Sequence, residues 1–538
     1  MSARHLLAVA IAVAAAAAGC GGGDGGGPAP QRRTTGAGAT SPTTTTRTTA
    51  TAPGAIRSLD IAVRATSHYR IDIFSLRRSG PFLTLNLVFA CDRADGDRYA
   101  SCDGTFDFIE TGVNTDDFNT MAGLRLLDPG AAREYRVVRN VDDQPYASAL
   151  ESSYDPGSRR YRAWVRFAAP PASVKAIDLA FPNGGPHVDG LPITEGGGVD
   201  PAPVGSGEVA AEPADFDRPP ESTSAQGLDV GVDDLELEVR SRGGNERVRE
   251  RAGRRTVTLA TDVLFAFNRA TLEGQAGGAL DDVADTVARR AVGPVAIDGY
   301  TDSKGSPAYN LRLSRRRAET VGDALAQRLG AGRELQAVGH GEADPVAPNQ
   351  KNGEDNPAGR RLNRRVTIGF SVRSGRPARP SAEESGAPAP EPGPPVRSAT
   401  YTTGESDRTD VGVEVSSIRR RGAMAVLDLR VTCERSTSDN CDQEVLLAQD
   451  PIFGGLTQLE RIALYDTAGG ISLVDPARDA TYVPARGPDD LPFAAGVDLR
   501  PGTASPLWVY FAAPPPSVET MTVAMPGGGP RLTGIPVE

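Results

Sequence analysis

Histidine is nearly missing from this 538-residue sequence, which has four. His5 falls in an apolar leader, His68 and His187 stand alone in the first third, and His340 sits in a Gly339-His340-Gly341 turn. No two are at metal-ligand spacing, and no Gly-x-Ser-x-Gly elbow or phosphate loop occurs. Adjacent acids such as Asp281-Asp282 and Asp489-Asp490 read as solvated surface or turns. Neither an acid/base pair nor a metal or cofactor site can be assembled from named residues, so an enzyme is not expected. A formal charge of −11 argues against nucleic acid as a partner and against a basic patch drawn to anionic lipid. Long apolar runs are missing too. Residues 6–18 form the one extended run, which is too short to cross a bilayer.

Glycine and proline are plentiful, with 61 Gly and 43 Pro beside 39% hydrophobic residues. Real cores are therefore expected, separated by long connections. Arg4 and His5 open the chain, and Ala17-Ala18-Gly19-Cys20 resembles a bacterial lipobox, with Ala17 where Leu is usual. That resemblance implies a signal peptide over 1–20 and lipidation of Cys20. Residues 21–54, Gly-rich and then Thr- and Pro-rich, are expected to be a disordered tether. Residues 196–228 and 372–404 read as linkers of the same kind.

Two distant segments repeat one another. Trp164-Val165-Arg166-Phe167-Ala168-Ala169-Pro170-Pro171 returns as Trp508-Val509-Tyr510-Phe511-Ala512-Ala513-Pro514-Pro515. The match runs on without a gap to Gly190-Leu191-Pro192-Ile193 and Gly534-Ile535-Pro536-Val537. Both copies, 55–195 and 405–538, show short alternating apolar runs between Gly, Pro, Asp and Asn turns, the pattern of an all-β antiparallel sandwich. Each is expected to bury its Trp as a core anchor. Four cysteines besides Cys20 allow three disulfide connectivities, and the repeat selects Cys91–Cys102 and Cys433–Cys441. The copies are similar to small immunoglobulin-like modules of exported lipoproteins.

Between them, residues 229–371 read as a central α+β domain with a βαβαβ pattern. A hairpin of Leu235–Val239 with Thr256–Leu259 leads to a strand at Val263–Asn268, which runs into a helix carrying Leu272, Leu280, Val283, Ala284 and Val287. A strand through Val295, Ile297 and Gly299 precedes a second helix, capped by Ser306 and Pro307. A strand at Leu335–Gly339 follows, and Val366, Ile368 and Phe370 close the sheet. On the second helix Asn310, Ser314 and Arg317 share one face, with Asp302 just before its start. A carboxylate and a guanidinium so placed can grip an ammonium and a carboxylate carried on one carbon.

The strings Gly299-Tyr300-Thr301-Asp302-Ser303-Lys304-Gly305, Tyr309-Asn310, Leu313-Ser314, Arg317-Ala318 and Asn363-Arg364-Arg365 resemble, in order and spacing, the OmpA-like peptidoglycan-binding domain family. The resemblance implies a site for the diaminopimelate of stem peptides, with Asp302 and Arg317 as the charged pair. It also implies Asn268, Thr301 and Asn310 as pocket hydrogen-bonders and Arg364 as a further candidate. Ala266 departs from the family, which carries an acid there. The whole then reads as a non-enzymatic envelope lipoprotein. It would be lipid-anchored to the outer leaflet of a cytoplasmic membrane or to an outer membrane, and would tether membrane to wall. The alternative is a surface adhesion or scaffold protein whose sandwiches bind a protein partner, with wall binding as anchorage. A motor stator is excluded, since it needs a spanning helix with a buried carboxylate.

Overall fold

The computed structural model describes residues 54–93, 102–103, 121–196, 227–372, 396–436 and 470–538, with short breaks inside these ranges. Cys20, Cys441 and the side chains of Cys91 and Cys102 lie outside the described residues, while Cys433 is buried and disulfide-bonded. The described chain is mostly strand, with four helices: α1 Thr261–Leu264, α2 Ala276–Arg290, α3 Pro307–Leu329 and α4 Pro357–Asn363. No described helix is long and apolar enough to cross a membrane.

The first repeat has two sheets. One orders Arg57–Val63, Ser67–Ser79, Phe82–Arg93 and Arg160–Ala168, and the other His187–Pro192, Ala176–Ala180, Arg125–Asp128 and Arg133–Arg136. Alternation along the strands turns Leu85, Val165 and Phe167 inward to meet Leu126, Leu179 and Leu191 from the facing sheet. The second repeat reproduces this arrangement with Thr409–Arg421, Met424–Ser436 and Ala504–Ala512 in one group. Ser472–Asp475, Thr520–Ala524 and Arg531–Pro536 form the other, and Ala480–Arg486 joins the two.

Equivalent contacts confirm the repeat atom by atom. Arg78, at the end of its hairpin, donates to the carbonyls of Pro170 and Val174. Arg420 donates to those of Pro514 and Pro515 at 3.2 and 3.0 Å, and also to that of Val518. Each guanidinium thus satisfies the carbonyls of the Ala-Ala-Pro-Pro turn, where no neighbouring strand is available to do so.

The tryptophans depart from expectation. On Ala504–Ala512 the inward positions are Leu507, Val509 and Phe511, matching Ala163, Val165 and Phe167 of the first core. Trp164 and Trp508 alternate with these and so face away from their own cores. Trp508 is nevertheless buried, with its ring 6.4 Å from that of His187 in the first repeat. One hydrophobic cluster contains the second repeat's core together with Leu127, Ala132 and Ala180 of the first, so the two repeats pack against each other.

In the middle domain the sheet runs Leu335–Gly339, Ala291–Gly299, Arg365–Val372, Arg254–Ala260, Glu246–Arg251 and Glu236–Ser241. Three sequence expectations change here. The partner of Glu236–Ser241 is Glu246–Arg251, whose alternating charged residues hid its strand pattern, and Arg254–Ala260 pairs one step further on. Residues 261–264 are a short helix, and Leu272 precedes α2, bridging to Phe265. Arg365–Val372 lies inside the sheet, paired on both edges.

The sheet does not end with the domain. Glu236–Ser241 pairs antiparallel with Ala480–Arg486 of the second repeat, while Val232–Asp234 pairs with Arg133–Arg136 of the first. These two partners are equivalent strands of the repeat, each opening with a residue at positive φ just before it, Ala132 and Asp479. Asp234 and Asp233 hold Arg133 and Arg136 at 2.7 and 2.8 Å, and Leu235 and Leu237 enter the shared core.

α3 crosses the parallel pair Ala291–Gly299 and Leu335–Gly339 at Gly299 and Gly339, which are register partners. A Cβ on Gly299 would lie 2.3 Å from Ser314 O, and one on Gly339 2.3 Å from Arg315 N. Only glycine allows this approach, because the obstacle in each case is backbone. Gly339→Ala should therefore push α3 outward and lower stability by about 1–3 kcal/mol. Thermal unfolding measures the loss, and an unchanged Tm would show that the crossing tolerates a methyl.

Candidate functional site

Two helix starts and one turn converge at the carboxyl ends of the parallel strands. Ser306 caps α3, its Oγ accepting from Tyr309 N at 3.3 Å with Pro307 in the first turn. Asn356 caps α4 in the same way, accepting from Gly359 N at 3.1 Å, and this aims Arg360 and Arg364 back toward the 300–306 loop.

Asp302 is nearly buried. One carboxylate oxygen accepts from Lys304 N at 3.1 Å, which shapes the turn. The other accepts from Arg364 Nη1 at 2.9 Å and lies 3.7 Å from Arg360 Nε. Arg364 in turn makes a forked pair with Asp262 at 3.1 and 2.6 Å, and these bonds raise its pKa.

Arg317 stands differently. It is buried, its Nε donates to Arg269 O at 3.0 Å, and its guanidinium lies 5.4 Å from the Phe265 ring centroid. Burial lowers its pKa, against the smaller opposing pull of Asp262, while Arg364 and Asp302 also act on it through space. The salt bridge between Asp302 and Arg317 that would make the pair purely structural does not form; Asp302 pairs with Arg364 and Arg360 instead. A buried guanidinium without a carboxylate partner among the described residues, close to a carboxylate already shared between cations, has the chemistry to take an anionic group.

The polar candidates divide. Thr301 is buried, its N–H donates to Gly341 O at 2.7 Å, and its Oγ1 has no partner among the described residues, so it is available to a ligand. Asn310 acts as a brace through its amide nitrogen, donating to Asp302 O at 3.3 Å and to Glu342 Oε2 at 2.7 Å. Ser314 Oγ accepts from Gly341 N at 2.9 Å. Asn268 is exposed in a left-handed turn, next to the Arg269 carbonyl that takes Arg317. His340 is a loop clamp, stacked 4.8 Å from Tyr300 and paired with Asp298 at 2.9 Å. Sequence reading missed Asp262, Arg360 and Glu342. Asp262 had no signal, and Arg360 and Glu342 had no role assigned to them.

Residues 264–358 match the OmpA family and constitute an OmpA family domain. Over 94 residues the chain is 43% identical to outer membrane protein A of Escherichia fergusonii, covering 17% of this chain and 39% of that protein. Outer membrane protein P5 of Haemophilus influenzae is 38% identical over 92 residues, 17% of this chain and 26% of that protein. A photosystem I chlorophyll a apoprotein of Gloeobacter violaceus is 43% identical over 112 residues, 20% of this chain and 13% of that protein. The chain thus spans between 13% and 39% of the length of these relatives. Among solved structures, the cell wall anchor of the T6SS from Pseudomonas aeruginosa is 29% identical, with a TM-score of 0.22, covering 24% of this chain and 91% of that one.

Arg317 is buried without an ion pair among the described residues, so its desolvation is offset only by its bond to Arg269 O and its contact with the Phe265 ring. Arg317→Met should keep the stability or raise it by about 0–2 kcal/mol, since an apolar side chain of similar length needs no desolvation. Denaturant unfolding tests this, and a loss beyond about 2 kcal/mol would make Arg317 a structural residue.

Proposed function

We propose that the middle domain binds uncrosslinked stem peptides of peptidoglycan non-covalently, taking the free ammonium and carboxylate of diaminopimelate, and so anchors the chain in the cell envelope. The observation that carries this reading is the buried, carboxylate-free Arg317 beside Asp302. Arg317 donates two parallel bonds to the ligand carboxylate, while Asp302 accepts from the ammonium in partial exchange for Arg364. Thr301 Oγ1 supplies a further bond, and Asn310 holds the loop in place. Membership of residues 264–358 in the OmpA family supports the reading, as do relatives named for the outer membrane. Cys20 carries lipid, and the two repeats are immunoglobulin-like modules with Cys91–Cys102 and Cys433–Cys441 disulfides.

Wall binding is tested by sedimenting the full chain with purified diaminopimelate-type sacculi. Asp302→Ala or Arg317→Ala should each cost about 2–4 kcal/mol, or some 30- to 1000-fold in affinity, because the remaining charge is left unmatched. Undiminished sedimentation of both variants would remove the site, and equal binding to lysine-type wall would remove the ligand.

Anchorage is a separate matter. Cys20→Ser should move the protein from the membrane fraction to the soluble one while leaving binding to purified wall intact. A Ser variant that stayed on wall-free membranes would show that lipid at Cys20 is not the anchor.

A further inference from the structure

The two repeats meet through charged groups that the wall-binding reading leaves unused. On the first repeat, His187 lies between Asp189 of its own strand, at 2.7 Å, and Asp428 of the second repeat, at 3.0 Å. Asp178 accepts from Arg421 at 2.7 Å and from the Tyr510 hydroxyl at 3.1 Å. Arg419 bonds both Asp189 and Asp428, and the Trp508 and Tyr510 rings flank the imidazole. The backbones also join, Ala423 N donating to Pro129 O at 2.9 Å.

This contact joins unlike surfaces of two like domains. Such a head-to-tail interface extends into open chains if every copy keeps both surfaces. Here the copies have diverged in a complementary way. At the positions of Asp178, His187 and Asp189 the second repeat has Thr522, Arg531 and Thr533. At the positions of Arg421, Ala423 and Asp428 the first repeat has Ser79, Pro81 and Asn86. Pro81 has no N–H to donate where Ala423 bonds Pro129. Arg166 stands in place of Tyr510, so the ring that flanks the imidazole and the hydroxyl that bonds Asp178 are both lost.

We infer that the two repeats are a matched pair, the acidic, histidine-bearing face of the first being the binding site for the arginine- and aromatic-bearing face of the second. Their function is to close the chain upon itself around the middle domain, and the substitutions at the vacant faces bar the same contact between chains. This inference does not rest on wall binding.

The charges set its working range. Burial depresses the His187 pKa, but Asp428 and Asp189 outweigh it and push it up to about 10, while Asp189 and Asp428 are held below the usual carboxylate range. Tyr510 is raised by burial, Arg419 and Arg421 are raised by their carboxylates, and Arg57 approaches Asp189 from the first strand. A raised imidazole stabilises the closed form fully below its unfolded pKa and loses that contribution as pH climbs through about 10. The depressed carboxylates contribute above about pH 4 and lose that contribution in acid.

The test uses the full chain. Giving the first repeat the second's residues, Asp178→Thr with His187→Arg and Asp189→Thr, should speed hydrogen exchange at the Ala423 amide by at least about tenfold. Amides of Ala291–Gly299 should stay protected. Arg421→Ser, at the rim of the contact, should raise exchange at the same amide, and it decides the matter if the triple variant fails to fold. Adding Thr522→Asp, Arg531→His and Thr533→Asp to the triple variant moves the face to the second repeat and should produce concentration-dependent oligomers in sedimentation velocity. The scattering radius of the unaltered chain should hold from about pH 5 to 8 and grow above about pH 10. Unchanged Ala423 exchange in a folded variant would overturn the proposal, as would a monomeric transplant.

Discussion

Everything in the described chain hangs on the addition of one short segment to two sheet edges. Val232–Asp234 extends the first repeat and Glu236–Ser241 extends the second, each pairing with the same edge strand of the duplicated unit. An edge strand exposes a row of unpaired N–H and carbonyl groups, and a duplicated sandwich has that liability twice. Using consecutive strands of the middle domain removes both edges and fixes the middle domain to both repeats. Leu235 and Leu237 turn this hydrogen-bonded seam into a packed one.

The candidate site is built on a different arrangement, in which one buried arginine is left out of the ion pairs around it. Asp262 and Asp302 share Arg364, Arg360 pairs with Asp355 and approaches Asp302, and Arg317 has no acid partner among the described residues. A buried cation so placed is costly at rest and can take an incoming anion as its acceptor. The Gly299 and Gly339 crossing makes the arrangement rigid, since it sets where the α3 backbone, and hence Arg317, stands relative to the 300–306 loop. Preorganisation of this kind reduces what binding must order.

How far the sequence disclosed this depends on the range of the interactions. The repeat, the middle domain and the Ser306 cap were legible because each is written in consecutive or helix-spaced residues. The strand at Glu246–Arg251 was not, because alternating arginine and glutamate gives no apolar period. Asp262 was missed because its partner, Arg364, is 102 residues away. His187 read as an isolated histidine for the same reason: of its partners Asp189 alone is local, while Arg419 arrives from the second repeat 232 residues on and Asp428, Trp508 and Tyr510 from further still. Trp508 was misjudged because strand alternation gives two faces without saying that the outer one is covered.

Duplication on both sides of the middle domain has a mechanical consequence. If lipid holds the chain ahead of the first repeat and the wall holds the middle domain, tension passes between them through the seam at Val232–Asp234, a three-residue pairing. So short a ladder resists little by itself, even with Asp233 and Asp234 paired to arginines, because exposed ion pairs add about 0–1 kcal/mol each. The second repeat offers a parallel route. It is bound to the middle domain through Glu236–Ser241 and to the first repeat through the buried charges around His187. Separating the first repeat from the middle domain then requires opening two contacts at once, one of them buried and ionic. The second sandwich gains a purpose from its position, as the brace that lets a short seam carry load.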